Sequence, residues 1–128
     1  MFGFGHNNNY EQDHQQVYGE QHEGKFSHEL VAGAASFEAA KHFEDRQRRE
    51  GKPVSHKFAK EMIAGIAGAE VDKLFETKGL DYLDRDEAKR NAQSYAEQNY
   101  DNHYGNQNEW HPDSRPPFDY QSDRYNYN

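Results

Sequence analysis

Apolar residues along this chain recur at helical spacing, and the clearest stretch is written twice. Phe26, Leu30, Ala34 and Phe37 fall on one helical stripe that continues to Lys41, and Phe58, Met62, Ile66, Ala69 and Lys73 repeat it 32 residues later. Between Lys25–Glu44 and Lys57–Glu76, ten of twenty aligned positions are identical, among them Gly33/Gly65, Glu38/Glu70 and Phe43/Phe75. The pattern therefore predicts a duplicated helix, each copy burying a face that it cannot bury alone.

The ends of these helices carry their own signals. Ser27 is a candidate N-cap for the first repeat helix, and Gly51-Lys52-Pro53 stops it after the basic run Arg46, Arg48, Arg49. The second opens at Ser55 and ends at Gly79, so the short connection predicts an antiparallel hairpin. Asp84 with Glu87 reads as a capping box for a third helix carrying Ala88, Ala92, Tyr95, Ala96 and Tyr100 to about Tyr104. The expected fold class is all-α: a duplicated antiparallel helical hairpin plus a third helix over residues 25–104. Polar tails expected to be disordered flank it, Asn/Gln/His-rich over 1–24 and Tyr/Asn/Pro-rich over 105–128.

Composition sharpens this division. Only 33% of residues are hydrophobic and the mean hydropathy is -1.37, so the middle alone has the makings of a core. Small residues beside the apolar stripes, Gly33 and Gly65 included, suit close helix packing, because a mid-helix glycine costs about 1 kcal/mol against alanine and needs a compensating contact. Three short helices make a thin core, which predicts self-association into a dimer. The residues assigned to packing and interface are Phe26, Leu30, Gly33, Phe37, Phe43, Phe58, Met62, Gly65, Ile66, Leu74 and Phe75.

The net charge of -8 makes nucleic acid and anionic lipid poor partners. The absence of cysteine excludes disulfides and thiolate chemistry. The first residues have neither a basic nor an apolar signal region, and the longest apolar run, Leu30–Ala35, is too short to span a bilayer. A cytoplasmic protein without stable membrane insertion is expected, with a homo-oligomer or an unidentified protein as partner. An amphipathic lipid-associating pair of helices fits the alanine-rich faces but not the charge.

Candidate chemistry is sparse. No nucleophile elbow, phosphate loop or dinucleotide fingerprint is present, so no catalytic residue is assigned, no enzyme is expected and no cofactor is called for. Glu38 and Glu70 occupy equivalent positions of the two copies, and His42 lies one turn after Glu38. Two carboxylates and an imidazole on facing helices are the ingredients of a metal site, which makes Glu38, His42 and Glu70 the alternative assignment. The competing reading pairs Glu38 with Lys41 and Glu70 with Lys73 on the rim of the bundle. His6, His14, His22, His103 and His111 fall in or near the tails, where adventitious metal binding is the simpler expectation.

Three long strings, HELVAGAASFEA from His28, FEDRQRREGKPVSH from Phe43 and AGAEVDKLFETKGLD from Ala67, resemble the fungal CipC-like family of concanamycin-induced, antibiotic-response proteins. The resemblance covers about residues 21 to 104. It implies a small intracellular fungal protein associated with stress, without an established activity or an active site to carry over. The favoured expectation is a non-enzymatic helical interaction module, and the alternative is a metal- or small-ligand-binding bundle.

Overall fold

A computed structural model describes residues 3–18 and 26–117, which form four helices: α1 (Gly3–Tyr18), α2 (His28–Glu50), α3 (His56–Lys78) and α4 (Arg85–Tyr104). The caps are those written in the sequence. The side chains of Ser27, Ser55 and Asp84 accept from the backbone N–H of Leu30, Phe58 and Glu87, and Gly51 and Gly79 close α2 and α3 in the left-handed conformation that glycine adopts without strain.

Helix α2 is the centre of the molecule, in contact with α1, α3 and α4. The connection 51–55 turns the chain back on itself, and the contacts Phe26–Tyr82 and His42–Glu70 show α3 antiparallel to α2. Helix α4 then lies antiparallel to α3, through Lys89–Asp72 at one end and Lys60–Asp101 at the other. The core is small and tightly interleaved: Val31, Ala35, Ala39 and Phe43 of α2 meet Ile63, Ala67, Val71 and Leu74 of α3 and Ala88, Ala92 and Ala96 of α4, all buried. The all-α class and the repeat hairpin are as expected.

The expected tails differ. Gly3–Tyr18 is helical, and Tyr10, Asp13, His14, Val17 and Tyr18 recur at i, i+3, i+4, i+7 and i+8, one face of a helix. That face is polar by composition, with Val17 its single aliphatic residue, which is why it reads as a tail. It docks on α2, where a Cβ at Gly33 would meet the Asp13 carboxylate and the Tyr10 ring. His14 stands edge-on to Phe37 at 5.1 Å, so the pairs Tyr10–Gly33 and His14–Phe37 keep one offset and α1 runs parallel to α2. Burial lifts Asp13 to about 6 and Tyr10 to about 12.

The chain beyond α4 is also tied down as far as Pro117. Trp110 is fully buried, exchanges two backbone hydrogen bonds with Val54 and packs its ring on Phe43 at 5.4 Å. Arg48 holds this segment by donating to the carbonyls of Pro112 at 2.6 Å and Ser114 at 2.7 Å. The molecule thus has four helices and a strap where three helices and two tails were expected. Residues 1–2, 19–25 and 118–128 of the expected tails lie outside the described residues.

Most residues assigned to packing and interface are enclosed by the chain itself. Phe26, Phe43, Leu74 and Phe75 are buried within the single chain, Leu30, Phe37, Met62 and Ile66 are half-buried, and Gly33 faces α1. Of the remaining assigned positions Phe58 and Gly65 are exposed. Among the described residues no helix is long and apolar enough to cross a membrane.

Candidate metal centre

Glu38 and His42 lie one turn apart on α2, and the antiparallel return of α3 sets Glu70, the repeat equivalent of Glu38, against them. One ligand atom from each of Glu38, His42 and Glu70 lies within 4.8 Å of the others. His42 Nε2 is 2.9 Å from Glu38 Oε2 and 3.8 Å from Glu70 Oε2. An ion with bonds of about 2.1 Å in tetrahedral geometry needs its ligand atoms about 3.4 Å apart, between these two distances.

Helix α1 fixes the other oxygen of each carboxylate. His14 Nε2 is hydrogen-bonded to Glu38 Oε1, and Tyr18 donates its hydroxyl to Glu70 Oε1 at 2.7 Å. The rings of His14 and Tyr18 stack at 4.6 Å, so the two anchors brace each other. Each glutamate therefore has one oxygen held by α1 and one turned toward His42. Partners that orient a ligand from behind in this way tune both its geometry and its basicity.

Burial and charge fit that division of labour. The side chains of Glu38 and Glu70 are 19% and 10% exposed, whereas that of His42 is 45% exposed and marks the open side. The hydrogen bonds from His14 and His42 hold the Glu38 carboxyl well below the usual carboxylate range, against the opposing effect of burial. Burial and the hydrogen bond to Glu70 push the Tyr18 phenol far up, so it remains a donor at any ordinary pH. The open side leads into a groove of about 270 Å³ between α2 and α3, lined by His42, Asp45, Arg46, Arg49, Ile66 and Glu70.

The rim-pair reading is thereby replaced. Glu38 pairs with His14 and His42, and Glu70 accepts from Tyr18, because the hairpin register turns both carboxylates toward each other beneath α1. His14 is likewise a fixed member of the cluster, and its spacing from Tyr10, Asp13, Val17 and Tyr18 was the available signal. Three further histidines have separate work. His28 Nε2 accepts from the Asp84 N–H, His56 joins the Tyr100 hydroxyl to the Gln107 carbonyl, and His103 donates to the Arg115 carbonyl.

A second polar cluster is closed and structural. The buried Glu44 carboxylate takes hydrogen bonds from Arg48 and from Tyr104, and its pKa is raised by burial against these opposing partners. Arg48 also lies 5.3 Å from the Trp110 ring, which leaves the cluster no open face of the kind His42 has.

A family model described as Virulence factor CipC-like matches residues 13–103, a span that contains all of His14, Tyr18, Glu38, His42 and Glu70. No curated protein and no solved structure matches the chain.

Proposed function

This chain belongs to the CipC-like family, and we propose that it acts as a non-enzymatic helical module that binds one divalent first-row transition ion through Glu38, His42 and Glu70. The observation that carries this reading is the paired anchoring of the carboxylates: α1 restrains one oxygen of each and leaves the other facing His42. Imidazole suits zinc, copper(II), iron and nickel, and two carboxylates add charge without the softness that copper(I) seeks. Three ligands leave a position open toward the groove, the pattern of a site that exchanges a fourth ligand.

The test is a native mass spectrum and a cobalt(II) absorption titration of untagged protein. A variant with His6, His22 and His111 replaced by Gln serves as the control for binding outside the helices α2 to α4. One ion per chain in both proteins, bound at least about tenfold more weakly in Glu38→Gln, supports the site. Stoichiometric binding that survives Glu38→Gln but disappears from the control overturns it. The same spectrum counts subunits, and so reads the self-association expected of the duplicated hairpin.

A further inference from the structure

The groove onto which the metal cluster opens has a second set of groups that the metal does not use. On α2, Asp45, Arg46 and Arg49 follow His42 by three, four and seven residues, so they continue the face that carries Glu38 and His42. Arg49 Nη1 is bonded to Asp45 Oδ2 at 2.9 Å, which holds its guanidinium along the groove wall. Arg46 makes no ion pair or hydrogen bond among the described residues, and its planar fork of donors is matched to a phosphate or carboxylate.

We propose that this groove binds a phosphate group, with one oxygen on the ion held by Glu38, His42 and Glu70 and the remaining oxygens against Arg46 and Arg49. The inference rests on the metal site proposed above. Charge makes the two events dependent on each other. Without metal, Glu38, Asp45 and Glu70 outnumber the two guanidinium groups and repel an anion, whereas a bound dication reverses the sign of the groove. Phosphate affinity therefore depends on metal, and by linkage phosphate tightens the metal by the same factor. The groove is far roomier than one phosphate ion needs, and Ile66 gives it an apolar wall. Both features favour a phosphate carried on a small organic group over the free ion.

The experiment loads the full-length protein with cobalt(II) and follows the d–d absorption as inorganic phosphate or glycerol phosphate is added, with acetate as the control anion. The double variant R46Q/R49Q leaves the metal ligands in place and changes only exposed side chains, so it still binds one cobalt per chain, no more weakly than wild type, since the two charges it removes repel a cation. Phosphate is expected to shift the spectrum saturably, and the double variant to bind it at least about tenfold more weakly. A tighter response to glycerol phosphate identifies the ester as the ligand, and equal responses identify the free ion. Cobalt binding with no phosphate response, or with a response that acetate or the double variant reproduces, overturns this inference alone. Failure of cobalt to bind overturns both it and the metal site.

Discussion

At the scale of single residues, Glu44 and Glu38 show how one residue type serves opposite ends. Glu44 is 1% exposed and fully enclosed, satisfied by Arg48 and the Tyr104 hydroxyl, and it faces no open space. Glu38 keeps one oxygen directed at a half-exposed imidazole. The difference follows from position: Glu44 lies under the strap, where Trp110 closes the site, whereas Glu38 lies beside an open groove. Replacing Arg48 with Met leaves a buried carboxylate with a single phenolic partner and releases two carbonyls of the strap. Loss of one member of a buried ion pair costs about 3 kcal/mol or more, so R48M should lower the urea midpoint by that equivalent without changing the helical spectrum of the folded state. A midpoint within error of wild type would show that the strap and Glu44 reorganise freely.

At the scale of elements, what the sequence made legible follows from where the aliphatic side chains are. Helices α2 and α3 and the cap of α4 are read from repeats, glycines and capping residues, because these are local signals and each lies within a few residues of the feature it specifies. The pairing of Glu38 with Glu70 was legible for the same reason, as equivalent positions of two copies of one hairpin. Helix α1 and the strap were not, since Tyr10, Asp13, His14 and Trp110 are stabilised by partners 20 or more residues away, and a face made of polar and aromatic groups looks like tail composition. That same polarity ties α1 to the proposed ion. Its anchors on α2 and α3 are the two carboxylates that would ligate the metal, so binding should slow amide exchange along α1 more than along α4. In His14→Ala the link between α1 and Glu38 is gone, and the metal-induced protection of α1 should fall away while Tyr18 still engages Glu70. Equal protection of all four helices in both proteins would show that α1 does not sense the site.

At the scale of the whole molecule, five buried or half-buried phenols tie the peripheral pieces to the centre, and their ionisation reports whether those pieces come apart together. Tyr10 and Tyr18 belong to α1, and Tyr95, Tyr100 and Tyr104 to α4. Tyr10 stacks on Tyr95 at 5.0 Å, and Tyr104 packs beside Trp110 of the strap. Burial raises the pKa of all five above the ordinary phenol value, Tyr10 to about 12, with charge from neighbouring carboxylates acting in the same direction. The folded state thus keeps protons that the unfolded chain releases. The resulting stabilisation is complete below about pH 10, the ordinary phenol value, and is lost as pH rises toward 12 and beyond. Of the nine tyrosines, the five should ionise late, and their absorbance change at 295 nm should coincide with loss of helical circular dichroism in one transition. Two separated late steps, one with helix retained, would mean that α1 or the strap detaches before the hairpin melts. A single smooth titration near pH 10 with the helices intact would mean that the phenols are not enclosed at all. One concerted transition would instead make α1, the bundle and the strap a single cooperative unit, the condition under which an ion bound between α1, α2 and α3 stabilises the entire chain and not merely its own site.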